Sequence, residues 1–492
     1  MTAQSHRNLL AALVGGLFAA AASAQTVQVE GGTIRGRALE DGGADFRGIP
    51  FAAPPVDNLR WKKPMPAARW TGVRDATGPA ASCVQNDYGW NHADFLTGRE
   101  DCLTLDVRTP ALSGKRPVLV WIHGGGNYAG APGDMVLSPL GKDLVMVAVR
   151  YRLAIFGFLS HPALTAEAGT SGNYGLMDQI AALQWVKRSI AWYGGDPGNV
   201  TIAGESAGSQ DVGLLLAAPD AWGLFHKAIM ESGTPAFGLP FRSLREAELI
   251  GSQADDLLGA GGDIAKLRSM SVPALLAVDR QLHDDALQSD DYKWLRTTID
   301  GAVFPRSPRV LLGEAPARPV IIGSNRFELD PPGGRPHRDA FLARAFGRNA
   351  AAARAFYRFD QPEPPADPRL GTRDQQLGTD VTFRCPAIEM AQLLAAKGAS
   401  VWHYEFDAAP GGARSVHAGE IPYIFGDQKL GNGLSLGPYW AQFARTGDPN
   451  GVGLPNWPRF TLAQQAHVRF DDRGVTPLGP LRPEICSLLD AL

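Results

Sequence analysis

Six short, mostly apolar runs recur between helical stretches and constrain this chain more than any other feature. They are Val118-Leu-Val-Trp-Ile122, Leu144-Val-Met-Val-Ala-Val149, Val200-Thr-Ile-Ala203, Lys227-Ala-Ile-Met230, Val320-Ile-Ile322 and Val401-Trp-His-Tyr-Glu-Phe406. Most are unbroken rather than alternating, so both faces of each strand must be covered, which predicts an α/β fold with a mainly parallel sheet between helices. Leu176–Ile190 carries apolar residues at helical spacing and is expected to pack on that sheet. Between Met230 and Val320, the Leu and Ala spacing of Leu244–Val278 predicts several short helices, read as a cap insertion over about 237–293. The Pro-rich stretches Asp330–Pro336 and Asp360–Pro368 read as loops or connections, and no internal repeat is evident.

The third run leads into Gly204-Glu-Ser-Ala-Gly208, where a strand gives way to a small-residue helix. A sharp turn of this kind strains the serine backbone and exposes its hydroxyl, and the residues two before and two after it must be small. Gly204 and Gly208 meet that demand, and the helix start directs free N–H groups toward an oxyanion formed at Ser206. Ser206 is therefore the candidate nucleophile. The same letters recur in Gly433-Leu-Ser-Leu-Gly437, but the stretch before them is polar and turn-like, so Ser435 is read as a loop residue.

A nucleophilic serine needs a base, an acid that orients the base, and donors for the oxyanion. Trp121-Ile-His-Gly-Gly-Gly126 ends a buried strand in glycines whose N–H groups can approach a ligand closely, so Gly125 and Gly126, with the N–H of Ala207, are the expected donors. After Val320-Ile-Ile322 come Glu328, the preferred acid, and Asp330, the alternative. Of the ten histidines, only His337, His403, His417 and His467 follow that acid. His417 lies in Arg414-Ser-Val-His-Ala-Gly-Glu420, a loop after a strand, and is the expected base; His403 and His467 fall within strand-like runs and read as structural. No cofactor is called for, and no His-Glu-x-x-His pattern suggests zinc or another metal.

A chain of 492 residues, 45% hydrophobic and 20% charged, can bury a large core. A net charge of -3 gives no basis for nucleic-acid binding, which shows a clustered basic excess. Residues 1–24 combine Arg7, an apolar run from Leu9 and the small residues Ala22-Ser-Ala24, the pattern of an export signal that leaves a periplasmic or secreted protein. No later stretch is apolar enough to span a membrane. Four cysteines in an exported chain suit two disulfides, Cys83 with Cys102 and Cys385 with Cys486, although the sequence allows three connectivities.

Taken together these residues resemble a type-B carboxylesterase of the cholinesterase-like branch of α/β hydrolases. The blocks that carry the likeness include Phe46-Arg-Gly-Ile-Pro-Phe-Ala-Ala-Pro-Pro55, Glu100-Asp-Cys-Leu103, Gly172-Asn-Tyr-Gly-Leu-Met-Asp-Gln179, Gly194-Gly-Asp-Pro197 and His417-Ala-Gly-Glu-Ile-Pro422. The resemblance implies an α/β-hydrolase fold and hydrolysis of a small-molecule ester through Ser206, Glu328 and His417. It implies the oxyanion donors Gly125, Gly126 and Ala207, both disulfide pairs, an Arg60–Glu100 ion pair, and Glu205 beside the site. It departs at Asn127, where an aromatic is common, and at Asn325-Arg-Phe-Glu-Leu329, where a second acid usually precedes the Glu and a glycine follows it. Tyr88 and Trp90, in the first disulfide loop, are expected to serve in packing. The alternatives are a non-catalytic binding protein of the same fold, or a lipase or amidase. Oligomeric state is not legible.

Overall fold

The computed structural model describes residues 25–40, 42–284, 295–330, 334–409 and 414–489, with the side chains of 334–336 left aside. The export signal at 1–24 and the end of the expected cap, from 285, lie outside the described residues. The strands, in chain order, are β1 (Gln25–Val29), β2 (Gly32–Ala38), β3 (Ala44–Pro50), β4 (Val73–Asp75), β5 (Thr104–Thr109), β6 (Arg116–Ile122), β7 (Val145–Val149) and β8 (Gly195–Glu205). They continue with β9 (Lys227–Glu231), β10 (Arg242–Ser243), β11 (Thr298–Ile299), β12 (Val320–Asn325), β13 (Val401–Phe406), β14 (His467–Asp471) and β15 (Gly474–Leu478).

The six runs singled out in the sequence become β6, β7, β8, β9, β12 and β13, and they lie side by side. The sheet has 13 strands in the order β1-β2-β3-β5-β7-β6-β8-β9-β12-β13-β14-β15, with β4 beside β2. From β7 to β14 every pairing is parallel, whereas β1, β2, β3 and β5 form an antiparallel wing and β15 closes the far edge antiparallel. The wing strands mix polar with apolar residues, so they lack the unbroken apolar run that marks the inner strands.

Burial explains why the inner runs are unbroken. Along β6, Val118, Val120 and Ile122 join the hydrophobic cluster on one face, while Leu119 and Trp121 join the cluster on the other. Both faces are covered, so apolar side chains predominate on each, and the buried polar positions of these strands are few. The helix Tyr174–Ser189 covers the first face, as expected, and Gly437–Thr446 supplies Tyr439, Trp440 and Phe443 to the second. Cutting a fully buried Ile202 back to Ala would cost about 2–5 kcal/mol, the transfer term plus the cavity left behind.

Parallel strands place all their carboxyl ends on one edge, where loops can converge. Ile122 of β6 pairs with Gly204 of β8, and Asn325 of β12 with Phe406 of β13. The loops after these four strands carry, respectively, the glycine triplet, Ser206, Glu328 and His417. The helices expected between Met230 and Val320 are Leu244–Leu258, Ile264–Ser269 and Val272–Asp279. A second helical stretch follows β12, with Gly334–Phe346, Ala350–Tyr357, Arg373–Thr379 and Cys385–Ala396. Its first helix takes up the end of the Pro-rich stretch expected to be a loop. Pro336 falls in the first turn, where a missing N–H breaks no helical bond. Asp360–Pro368 is irregular, as expected.

Cys83 is bonded to Cys102 and Cys385 to Cys486. Beside the first bond, Arg60 grips Glu100 with both arms of its guanidinium at 2.7 and 2.6 Å, and its remaining nitrogen donates to the carbonyls of Arg268 and Met270. Among the described residues no helix is long and apolar enough to cross a membrane.

Candidate active site

Ser206 follows β8 directly with a positive φ, φ 57° and ψ −125°, and opens the helix Ala207–Ala217. A non-glycine residue holds such angles only when its surroundings force them. Here the Ser206 N–H donates to the Glu231 carbonyl at 2.9 Å while its own carbonyl accepts from the Gln210 N–H. The glycines that flank it are required by contact. A Cβ on Gly208 would stand 2.1 Å from the Ile122 carbonyl oxygen, and one on Gly204 2.5 Å from Gly208.

Four strand ends bring the expected residues together. The Ser206 hydroxyl lies 2.9 Å from Nε2 of His417, and Nδ1 of His417 lies 2.7 Å from Oε2 of Glu328. The other Glu328 oxygen accepts the Asn325 N–H at 2.6 Å, and the Glu328 N–H donates to Thr379 Oγ1. Glu328 is buried at 1% exposure, whereas Asp330, the alternative acid, is exposed. The Phe383 ring packs 5.1 Å from the imidazole. His403 and His467 are buried within β13 and β14, Ser435 is in a loop, and His337 sits on an exposed position of the helix Gly334–Phe346.

The glycine loop runs alongside. Gly125 has φ 103° and Gly126 has φ 62°, and a Cβ on Gly125 would lie 2.1 Å from the Ala129 carbonyl oxygen. Both therefore need to be glycine. Among the described residues neither glycine N–H donates to another protein group, and the Ala207 N–H belongs to the helix's first turn, which has no internal partner.

Several buried acids crowd this edge. Oε1 of Glu205 is 3.3 Å from Nε2 of His417. Burial, together with the charge of Glu328, raises the Glu205 pKa even though His417 pulls it down. Burial alone would lower the His417 pKa, but Glu205 and then Glu328 override it and raise the value to about 9. Glu205 and His417 thus compete for one proton at the floor of the site. With the proton on Glu205, the pull on the imidazole disappears and Nε2 is free to act as a base.

Behind them lie acids that the sequence did not single out. Glu420 accepts from the Asn325 amide at 2.6 Å, and the same amide donates to the Val416 carbonyl. Burial, reinforced by Glu205 and Glu328, raises the Glu420 pKa to about 8. Glu231 accepts from the Trp440 indole N–H at 2.6 Å, and its pKa is pushed up by burial and by Glu420. Glu420 could have been suspected from its place in the His417-Ala-Gly-Glu420 block. Glu231 carried no signal beyond an acid ending an apolar run.

These groups open into a cavity of about 520 Å³. Its floor includes Gly125, Gly126, Glu205, Ser206, Ala207 and His417, and its walls include Trp90, Tyr128, Phe237, Leu239, Arg296 and Phe341. Two expectations change. Among the described residues nothing from 244 to 284 lines the cavity; the segment contributes through 237–239 at its start, and the second helical stretch contributes Phe341 and Thr382. Trp90 lines the cavity rather than serving only in packing, while Tyr88 packs edge-on against Tyr128 at 4.7 Å. Asn127 is turned into the protein interior, so its departure from an aromatic leaves that wall to Tyr128. Among the described residues no group of three or more metal-binding side chains is gathered.

A family model described as the carboxylesterase family matches residues 23–331 and 337–482. A medium-chain fatty acyl-CoA hydrolase precursor of Anas platyrhynchos is 35% identical over 496 residues, covering 88% of this chain and 86% of that one. The cocaine esterase of Homo sapiens is 33% identical over 501 residues, covering 89% and 86%. A solved structure titled PNB esterase superposes with a TM-score of 0.81 at 31% identity, covering 94% of this chain and 99% of that one. With the sheet and its mixed order on the α/β-hydrolase plan, the chain belongs to the carboxylesterase family and is a carboxylic ester hydrolase.

Proposed function

We propose that Ser206, His417 and Glu328 hydrolyse esters in two steps through an acyl-enzyme, with Gly125, Gly126 and Ala207 as the oxyanion hole. The observation that carries this reading is the unbroken line of hydrogen-bond distances from Ser206 through His417 to Glu328, 2.9 and 2.7 Å. Nε2 takes the hydroxyl proton as Oγ attacks the ester carbon, and the carbonyl electrons move onto oxygen, where three backbone N–H groups receive them. The imidazolium then returns the proton to the departing alkoxide. Water, deprotonated by the same Nε2, attacks the acyl carbon, and as the bond to Ser206 Oγ breaks the imidazolium returns that proton to Oγ and the acid leaves. Glu328 accepts Nδ1–H, which fixes the tautomer of the imidazole and its orientation.

The substrates proposed are esters with a sizeable apolar acyl or aryl group. The cavity volume and its aromatic and aliphatic walls support this, as do relatives whose names point to fatty acyl thioesters and to cocaine. Export through residues 1–24 is part of the same proposal, supported by the signal-like sequence and the two disulfides. An intact mass of the mature protein beginning at Gln25 would support it, and a retained leader would contradict it.

A serine-directed organophosphonate tests the site. The expected result is one adduct on the peptide containing Ser206, with activity lost in step. Folded protein that cleaves no ester in a panel of aryl, alkyl and acyl-thioester substrates and takes no label at Ser206 would favour a binding role. Cleavage confined to emulsified long-chain esters, or to amides, would move the assignment to a lipase or an amidase.

A further inference from the structure

Asn127 follows the glycine loop directly, is 4% exposed and has φ 61°, a conformation asparagine tolerates better than most residues. Its side-chain amide donates to Oδ1 of Asp211 at 3.0 Å, and its side-chain oxygen lies 3.1 Å from the Tyr151 hydroxyl, whose one proton it shares with the nearer His123 carbonyl at 2.8 Å. Its backbone carbonyl accepts from the Ala154 N–H at 2.7 Å. Asp211 is fully buried and sits one turn past Ala207 on the helix that Ser206 opens. Its second oxygen accepts from the Gln179 amide at 2.5 Å.

We propose that the Asn127–Asp211 bond is a strut that sets the spacing between the glycine loop and the serine helix, and so positions the oxyanion donors. This rests on reading Gly125, Gly126 and Ala207 as that hole. The donors come from two separate segments: a loop after β6 and the first turn of a helix after β8. Nothing covalent fixes one against the other, yet all three N–H groups must meet a single oxygen. Asn127 is the next residue after one pair of donors, and Asp211 is four residues beyond the other.

The chemistry of the pair favours position over bulk stability. The side-chain donors to Asp211 among the described residues are the neutral amides of Asn127 and Gln179, and burial raises its pKa to about 7 even though those amides pull it down. A buried acid held this way is costly, and two apolar side chains would fill the same space at a lower desolvation cost. What an apolar pair would not supply is a fixed donor–acceptor distance between loop and helix. Misplacing a reacting group by about 1 Å costs on the order of 10²-fold in rate, so a strut of this kind acts on kcat.

The test compares four variants on a short aryl ester and measures inhibition by a trifluoromethyl ketone, whose serine adduct carries an oxyanion, against its methyl ketone analogue. Asn127→Gly keeps the left-handed backbone and deletes the strut; Asn127→Leu and Asp211→Leu delete it differently. Asp211→Asn is the conservative rescue. Its oxygen can still accept from Asn127, and once the Gln179 amide flips, its own NH2 can donate to Oε1 of Gln179, which has no partner among the described residues. Asn127→Gly and the two Leu variants should lose about ten- to a hundredfold in kcat and in trifluoromethyl ketone affinity, with KM within about threefold. Asp211→Asn should stay within about threefold of wild type in all three. If the Leu variants fail to fold, Asn127→Gly and Asp211→Asn decide. Folded Asn127→Gly with unchanged kcat and ketone affinity would overturn the strut. Wild-type protein that binds the trifluoromethyl ketone no more tightly than the methyl ketone would contradict the oxyanion hole itself, a different failure.

Discussion

The floor of the cavity forms where parallel strands end, whereas much of its wall comes from segments inserted between strands. Ser206 is the first residue past β8, the glycine triplet starts two residues past β6, and Glu328 lies three past β12. Their placement is inherited from the register of a sheet that is covered on both faces. Phe237 and Leu239 lie between β9 and the first inserted helix, Leu295 and Arg296 precede β11, and Phe341 and Thr382 belong to the long stretch between β12 and β13. The strand ends beneath such a floor cannot shift far without unpairing strands, and only the short loop that carries the glycines past β6 depends on side-chain contacts to hold its place. A wall built this way can change while the sheet stays the same, so the chemistry and the selectivity are carried by parts of unequal rigidity.

The harshest break of this contrast is in the floor. Ser206→Ala should lower kcat by roughly 10⁶-fold, since losing one member of such a unit costs about as much as losing all. The thermal midpoint should barely move, because the serine contributes little packing. Steady-state kinetics on an aryl ester beside a thermal melt checks both, and substantial residual turnover would mean another nucleophile.

In the wall the largest effect should fall on stability. Cys385 immediately follows the turn that carries Thr382 and Phe383, and its bond to Cys486 closes a separation of 101 residues. Replacing both cysteines by Ser should cost about 4.7 kcal/mol by the loop-closure argument, against about 3 for the pair Cys83 and Cys102. Denaturant titration of the two double variants ranks them. The reverse order would mean that the wall segment stays structured in the unfolded chain.

Leu239→Ala enlarges the wall without touching the floor. The ratio of kcat/KM between a long and a short acyl ester should change by about tenfold, the scale of a few methylenes in an apolar pocket. An equal change for both esters would place Leu239 outside substrate contact.

The smallest effect is a shift in pH dependence. Nε2 must be unprotonated to accept the serine proton, so activity falls as pH drops through the His417 pKa, which Glu205 helps to raise. Glu205→Gln removes that contribution, lowers the pKa, and should extend activity to lower pH. A kcat/KM profile whose acid limb stays put or moves upward would contradict the proton competition between the two side chains.

The same division decides what could be read from the letters. Chemistry at strand ends is confined to a few residues with hard local requirements, so Gly204, Gly208 and the glycine triplet stood out before any contact was known. The six inner strands stood out because burial on both faces leaves apolar runs that nothing else explains. The cavity wall did not. Phe341 and Thr382 are distant in sequence from Ser206, sit on helices with ordinary composition, and reach the cavity only through tertiary packing. The cap segment was read from its helical spacing, but periodicity says which face is apolar, not what that face meets. Asn127 shows the limit most clearly. The sequence marks it only as a departure from an aromatic common at that position, and the structure shows its polar side chain meeting Asp211 and Tyr151 in the interior.

The covalent intermediate offers the most direct test. Mixing the protein with an excess of an activated acyl ester and quenching in acid within the first turnover should give an intact mass raised by one acyl group, mapped to Ser206. The adduct should be absent from Ser206→Ala and from His417→Ala. Full turnover in wild type with no acyl group on Ser206 at any quench time, or an acyl group on another residue, would contradict the account.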